Sequence, residues 1–300
     1  MHLSICKDLL HRGFTPRAIN EYCNDISIDY INNLLQTDTN LVAYQNHDEP
    51  IPPFIDGKII LQEPGHKYVV CDKPDFVPTS VTTLIHNFFE PFDGPAIARK
   101  LITYIPKYKG RTIESLLSEW KQTGVDGTFA HLELENYILS DRATEVTNKK
   151  AISGMRWIDK IYARDLYYWY PEVILYSEEF NVCGTVDLLL VEKETGHVHV
   201  LDWKTIRRLN MKSFSGKRGI RPETQHLPDC NNTYYTLQLS IYQYLLEYLF
   251  DLVVHTRTLL HITETECISY PTEYWESEAK AMLNCCRDAY MSGHPMSKEH

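Results

Sequence analysis

The sequence contains no apolar run that approaches the length needed to cross a lipid bilayer. Its first residues, MHLSICKDLLHRGFTPRAI, also lack the order of positive charge, apolar stretch and small-residue cleavage site that defines a secretory signal peptide. Both absences argue against a membrane protein and against a secreted one. We therefore expect a soluble, intracellular protein without a membrane partner.

Paired cysteines are missing as well. The eight cysteines are scattered along the chain, no Cys-x-x-Cys motif occurs, and Cys285 and Cys286 are adjacent. This pattern is poor evidence for a zinc site and gives no evidence for a disulfide framework. We expect reduced thiols, most of them buried.

Internal repeats and low-complexity segments are also absent, and the 300 residues suit one large globular domain with a small appendage. Apolar residues at helix-like spacing over residues 1–37 and the Pro-rich stretch 49–57 predict a helical appendage and a linker. The expected boundaries are therefore residues 1–55 for the appendage and linker, and residues 56–300 for the main domain.

In the main domain, the order of predicted elements indicates a mixed sheet flanked by helices, an α/β arrangement of the α+β kind. The predicted helices cover residues 81–89 after a Thr79-Ser80 cap, 115–123, 127–139, 152–170, 234–250 and 274–291. The predicted strands form hairpins over residues 58–72 and 178–204 and a single strand over residues 256–263.

The second hairpin, GTVDLLLVEKETGHVHVLDWKT, carries three ionisable side chains on otherwise apolar strands. Pairing that is symmetric about its turn places Asp187 directly opposite Asp202, with Cβ atoms about 5 Å apart. Lys204, two residues further on, shares their face. Close carboxylates repel each other, and Mg²⁺ or Mn²⁺ would neutralise both. An Asp–Lys pair without a metal is the alternative, and a bulge would shift the register.

Two predicted helices carry polar residues four positions apart, and therefore on one face. His131 and Glu135 do so in GTFAHLELENYI, and Gln238 and Tyr242 do so in TYYTLQLSIYQ. A histidine close to two carboxylates makes a plausible cation site. The alternatives are a structural histidine and an ordinary amphipathic helix with a tyrosine at its rim.

The net charge of −10, taken alone, argues against a nucleic-acid partner. Its distribution favours one, because residues 203–222 contain seven basic residues and no acid, and residues 94–113 are also acid-free. The basic residues of the first stretch are Lys204, Arg207, Arg208, Lys212, Lys217, Arg218 and Arg221. A local basic surface steers a polyanion whatever the average charge, although a merely solvated loop is the alternative.

Together these motifs resemble the PD-(D/E)XK nuclease superfamily, in particular its RecB-type branch. Asp187 followed by Asp202-Trp-Lys204 matches the catalytic pattern, Gly127-Thr-Phe-Ala-His131 is similar to the GTxxH motif, and Gln238-xxx-Tyr242 is similar to the QxxxY motif. The resemblance covers roughly residues 75–265 and is closest to viral and phage exonucleases and to mitochondrial genome maintenance exonucleases. It implies an αβββαβ core like that of restriction endonucleases, here with added N-terminal helices.

The resemblance also implies roles for individual residues. His131, Asp187 and Asp202 would bind Mg²⁺ or Mn²⁺, Lys204 would orient or activate the attacking water, and Gln238 and Tyr242 would position the DNA. Glu135 and Glu178 are candidates for outer contacts. Some relatives carry a four-cysteine iron–sulfur cluster, but the cysteines here lack that grouping, so we expect no cluster.

The expected function is a metal-dependent DNA exonuclease in recombination, repair or genome maintenance. Its DNA would be single-stranded or have free ends and would contact the residues Arg207, Arg208, Lys212, Lys217, Arg218, Gln238 and Tyr242. Trp203, Phe214, Tyr234 and Tyr235 are candidates for stacking on unpaired bases. Three alternatives stay open: a catalytically inactive DNA-binding or scaffold module, a structure-specific endonuclease, and an RNase. A protein partner for the N-terminal helices is a further expectation.

Overall fold

The structure is a computed structural model that describes residues 54, 59–62, 67–73, 75–294 and 296. The predicted helical appendage of residues 1–37 lies outside the described residues. The described residues form six α-helices: α1 (Val81–His86), α2 (Gly94–Tyr104), α3 (Ile113–Leu139), α4 (Lys149–Tyr162), α5 (Asn231–Phe250) and α6 (Glu276–Met291). None of the described helices is long and apolar enough to span a membrane.

The described strands form two sheets. Strands β1 (Ile59–Gln62) and β2 (Lys67–Val70) form a two-stranded antiparallel hairpin, as predicted. The main sheet contains β3 (Thr79–Ser80), β4 (Tyr167–Ser177), β5 (Val182–Glu192), β6 (Val198–Lys204), β7 (Val254–Ile262) and β8 (Cys267–Pro271). Its order is β3-β5-β6-β7-β8, with β4 paired to the other edge of β5. Parallel pairs (β3–β5 and β6–β7) and antiparallel pairs (β4–β5, β5–β6 and β7–β8) both occur, which confirms the mixed sheet and the α/β class.

The β5–β6 hairpin has the predicted register. Its ladder runs from Val191 paired with Val198 to Leu188 paired with Leu201, and the next step would place Asp187 opposite Asp202. The ladder ends before that step. There the backbone N–H of Trp203 donates to the Asp187 carboxylate at 2.7 Å instead of to a strand carbonyl. The two strands therefore separate at the acidic residues.

Helices cover both faces of the sheet. Helices α3 and α4 pack on one face, against Leu188, Leu190 and Leu201. Helices α1, α5 and α6 pack on the other face, against residues such as Leu189 and Val200. Leu188 and Leu189 are completely buried, and burial of such a side chain stabilises a fold by roughly 2 kcal/mol. This packing fixes the strands that carry the acidic residues.

Helix α3 corrects the prediction of separate helices over residues 115–123 and 127–139. It is one 27-residue helix that begins at a Thr112 cap, whose side chain accepts from the Ser115 N–H. Gly124 and Gly127 each cost about 1 kcal/mol in a helix interior. Both lie inside α3, whose buried residues Leu116, Ala130 and Leu134 anchor the helix on either side of them.

The predicted helix over residues 152–170 is also wrong at its C-terminal end. Helix α4 ends at Tyr162, and the aromatic residues from Tyr167 onward begin strand β4, which pairs along the length of β5. Aromatic side chains favour strands, and Pro171 is unsuited to a helix interior. Helix α2 and strand β8 were not predicted, whereas the Ser80 cap of α1 is confirmed by a 3.1 Å hydrogen bond from the Thr83 N–H.

Candidate active site

Asp187 lies where the ladder between β4 and β5 is irregular. Pro171 pairs with Leu188 and Val173 pairs with Val186, and Glu172 stands between them with a φ of 50°. A left-handed backbone is unfavourable for glutamate, and such strain is concentrated at functional sites. The unchanged register on either side places Glu172 opposite Asp187, and their carboxylates lie close together.

Helix α3 delivers a histidine to the same place. A Cβ atom on Gly127 would lie 2.6 Å from Thr205 Oγ1, so glycine is what allows the helix to approach the end of β6. One turn later, His131 Nδ1 lies 3.5 Å from Asp187 Oδ2. The two ends of the GTxxH motif therefore act together: Gly127 allows α3 to lie close to the end of β6, and this brings His131 close to Asp187.

The ligand atoms of His131, Glu172 and Asp187 all lie within 4.8 Å of one another, which makes them a candidate cation site. Glu172 is absent from the sequence-based prediction because residues 171–177 fall between the predicted helix and the predicted hairpin and belong to no predicted strand. Correct assignment of β4 would have placed it opposite Asp187. Asp202, a predicted ligand, is not a member of this group of three.

Asp202 instead begins a chain of polar contacts towards α5. Its Oδ2 atom lies 2.5 Å from Lys204 Nζ. The same ammonium donates to Gln238 Oε1 at 3.3 Å, and Gln238 Nε2 donates to the Tyr242 hydroxyl at 3.2 Å. Lys204 Nζ also lies 4.3 Å from the centre of the Tyr235 ring, over its face. The structure thus joins the predicted residues Asp202, Lys204, Gln238 and Tyr242 into one network.

The two acids have raised pKa values. Burial raises the pKa of Asp187 to about 6, against the opposing effects of Lys204 and of the Trp203 N–H. Burial also raises the pKa of Asp202 to about 6, and the charge of Asp187 adds to this shift. The Asp202 side chain is 1% exposed, and its Oδ1 atom has no hydrogen-bond partner among the described residues. A buried carboxylate oxygen without a donor is well suited to a cation.

The basic groups of the site respond differently to burial. Burial lowers the pKa of His131 to about 4, despite the opposing carboxylate of Asp202, so the imidazole is neutral at pH 7 and able to bind a metal. Burial alone would lower the pKa of Lys204, but Asp202 and Asp187 outweigh it and the pKa is raised. Lys204 therefore keeps its proton.

Tyr242 lies beneath the site rather than at its surface. It is 2% exposed, and a Cβ atom on Gly184 would lie 2.8 Å from its ring. The missing side chain at Gly184 provides the space for the ring. Direct contact of Tyr242 with DNA stays a prediction, and this burial disfavours it.

Other predicted residues lie around the site or away from it. Arg207, Arg208 and Lys212 are exposed on the loop after β6, whereas Lys217 of the same loop pairs with Glu90. The exposed Arg218 donates to the His226 carbonyl at 2.7 Å. Glu135 is partly buried one turn after His131. Glu178 pairs with Lys73 at the β4–β5 turn and is not brought to the site.

Comparison with known proteins adds little to this description. No protein-family model and no curated protein matches the chain. One solved structure, "Crystal structure of SSO0001", aligns over 71% of this chain and 75% of its own, with 17% identity and a TM-score of 0.32. A likeness this weak carries no argument about fold or function.

Proposed function

We propose that the chain is a metal-dependent DNA exonuclease of the PD-(D/E)XK superfamily. The observation that carries the proposal is the meeting of His131, Glu172 and Asp187 beside the Asp202–Lys204 pair. The element order α4-β4-β5-β6-α5-β7 agrees with the αβββαβ core that the sequence resemblance implies. The restriction-endonuclease-like character of that core is part of the proposal.

A divalent cation would be held by the site's own acids and imidazole. His131 supplies one nitrogen, and Glu172 and Asp187 supply carboxylate oxygens. Asp202, whose Oδ1 atom has no hydrogen-bond partner among the described residues, is a further acid, and the charge of Asp187 acts on it. This oxygen-rich set fits Mg²⁺ or Mn²⁺. When bound, such an ion lowers the pKa of a coordinated water and offsets charge on the phosphate.

Lys204 acts as a proton-holding donor. Asp202 and Asp187 raise the pKa of its ammonium, which favours a role as a charged donor over a role as the base that accepts the proton of the attacking water. Asp202 and Gln238 fix its position, so Nζ can orient the water or stabilise the charge that develops on the phosphate oxygens. Gln238 is a positioning residue in this scheme, and Tyr242 holds its amide in turn.

The loop after β6 would receive the DNA backbone. It leaves β6 directly after Lys204, and its exposed Arg207, Arg208 and Lys212 offer positive charge for phosphates. Phe214, 85% exposed, offers a face on which an unpaired base can stack. A DNA strand bound along this loop would have its phosphates directed towards the candidate active site.

The test is digestion of 5′- and 3′-labelled strands with Mg²⁺, with Mn²⁺ and with EDTA. We expect cleavage from an end that requires the metal and that is lost in Asp187→Asn and Lys204→Ala. Asp165→Asn, which alters an exposed acid paired with Lys193, is the matched control and retains activity. Circular dichroism confirms that each variant is folded.

Three results would contradict the proposal. Normal cleavage by either site variant would exclude this site. Calorimetry that detects no Mg²⁺ or Mn²⁺ binding would favour an inactive DNA-binding module. Cleavage of circular single-stranded DNA, or of RNA in preference to DNA, would indicate an endonuclease or an RNase instead.

A further inference from the structure

A second group of histidine and carboxylate side chains lies at the opposite end of the β5–β6 hairpin. Glu192 ends β5, His199 lies early in β6, and His255 lies early in β7. Their ligand atoms also lie within 4.8 Å of one another. We call these three residues the turn cluster. His199 and Lys204 are five residues apart along β6, about 16 Å, so the turn cluster is separate from the candidate active site.

A β-bulge places His255 in the turn cluster. Val198 pairs with Val254 and His199 pairs with Thr256, so His255 is the extra residue of β7 between these pairs. Bulges of this kind redirect a side chain away from its regular position in a strand. His255 Nδ1 consequently lies 3.6 Å from Glu192 Oε1, although the two residues belong to strands that are not neighbours.

The distances suit a small tetrahedral ion. Zinc binds nitrogen and carboxylate oxygen at about 2.0–2.2 Å, which sets tetrahedral ligand atoms about 3.4 Å apart. His199 Nε2 lies 2.9 Å from Glu192 Oε1, and His255 Nδ1 lies 3.6 Å from the same oxygen. Small side-chain rotations would bring both distances to the value that zinc requires.

Neighbouring groups orient these side chains. His199 Nδ1 lies 2.7 Å from Thr256 Oγ1, which leaves Nε2 directed at Glu192. The edge of the Tyr167 ring packs on the same imidazole, with ring centres 5.3 Å apart. Thr195 donates to the second oxygen of Glu192. Metal-binding histidines are usually held in this way by a hydrogen bond at the other ring nitrogen.

We infer that Glu192, His199 and His255 form a second metal site, one that takes Zn²⁺ and links the ends of β5, β6 and β7. Two imidazoles favour zinc over magnesium, which prefers oxygen ligands. His197 Nδ1 lies 4.0 Å from Glu192 Oε2, but His197 is not a member of the turn cluster. His255 is 58% exposed, so an ion can enter from solvent. The absence of paired cysteines does not bear on a site of this composition.

The experiment is a calorimetric titration of the full, EDTA-stripped chain with Zn²⁺, in buffer with saturating Mg²⁺ to occupy the candidate active site. We expect His255→Ala to weaken zinc binding at the turn cluster by at least about tenfold, the cost typical of losing even an outer partner of a metal site. His199→Gln should do the same, and His197→Ala should have a smaller effect. Zinc should also raise the thermal midpoint of the wild type but not that of His255→Ala.

His226→Ala is the matched control, because His226 forms an exposed pair with Glu278 at 2.8 Å that is not part of the turn cluster. It should bind zinc as the wild type does. Equal zinc affinity in the wild type and His255→Ala, or an equal loss in His226→Ala, would overturn the inference. So would a wild-type chain that shows no zinc binding. Because the readouts are binding and thermal stability, they are independent of any nuclease activity.

Discussion

The candidate active site and the turn cluster use the same residue types in different surroundings. The first joins the partly buried residues His131, Glu172 and Asp187. The second joins the partly buried Glu192 and His199 to the exposed His255 beside a turn. Burial raises the pKa of Asp187 to about 6, whereas hydrogen bonds from Thr195 and then His199 lower the pKa of Glu192 to about 2. Residue type alone therefore does not set the proton affinity of such carboxylates, which depends on burial and on the hydrogen-bond donors around them.

The most demanding test of this comparison is Glu172→Gln. If the candidate active site binds the catalytic metal, the loss of one of its three ligands should lower Mg²⁺-dependent cleavage by about a hundredfold or more. Even the outer partners of a metal site are worth ten- to a hundredfold. Steady-state kinetics over a Mg²⁺ series would measure it. Glu264→Gln, which alters an exposed acid 3.8 Å from Lys149, should leave cleavage unchanged. Unaltered cleavage by Glu172→Gln would remove Glu172 from the site.

Gly127→Ala tests how helix α3 brings His131 to the candidate active site. The new Cβ atom would collide with Thr205, push α3 away from β6 and displace His131. A displacement of 1 Å at an active site costs up to about a hundredfold, so we expect a loss of activity between about tenfold and a hundredfold. Gly124→Ala is the control, because nothing lies within 4 Å of its added Cβ. It should stabilise the helix by about 1 kcal/mol and leave cleavage intact.

Asp187→Asn tests the electrostatic difference between the two groups. The raised pKa of Asp187 means that its carboxyl does not oppose folding below about pH 4 and opposes it increasingly as pH rises to about 6. In the metal-free protein, Asp187→Asn should therefore be more stable than the wild type at pH 7, by up to about 3 kcal/mol. The difference should shrink towards pH 4.

Denaturant unfolding of both proteins in EDTA, at pH 4, 5 and 7, provides the measurement. His131 changes stability in the opposite direction, because its lowered pKa favours folding as pH rises, but it is present in both proteins. A variant that is less stable than the wild type at pH 7 would show that the burial of Asp187 is compensated without a metal.

The smallest expected effect concerns the basic loop that follows β6, beside the candidate active site. Lys212 is exposed, whereas Lys217 pairs with Glu90, so Lys212→Ala should reduce binding to single-stranded DNA more than Lys217→Ala does. We expect a loss of a few-fold and a decrease of about one in the slope of log affinity against log salt. Fluorescence anisotropy over a salt series would measure both. Equal slopes for wild type and Lys212→Ala would exclude Lys212 as a phosphate contact.

The parts of this structure that sequence predicts well are those set by a short turn or by a simple spacing. Symmetric pairing about the turn residues Glu194 and Thr195 is enough to predict the hairpin register, because loop length fixes the register of a hairpin. The shared helical face of Gln238 and Tyr242 follows equally directly from a four-residue spacing, and the two side chains do contact each other.

Strand β4 and Glu172 escape prediction for a physical reason. The segment from Tyr167 is aromatic and closely follows a helix, so local sequence preference does not show where α4 ends and β4 begins. The left-handed backbone of Glu172 depends on its pairing with β5 and has no signal in the sequence. The bulge at His255 also has no signal in the sequence, because it exists only through the pairing of β6 with β7.

One consequence of the sheet pairing concerns mechanical rigidity. Strand β5 pairs with β3 at Val182 and Cys183 and with β6 from Leu188 onward, so residues 184–187 have no strand partner on that edge among the described residues. The Tyr242 ring packs on the face of the sheet at Gly184. Asp187 lies at one end of the unpaired stretch, and its carboxylate accepts from the Trp203 N–H of β6. A force that separates β5 from β6 at this point would act on this side-chain hydrogen bond rather than on a backbone ladder.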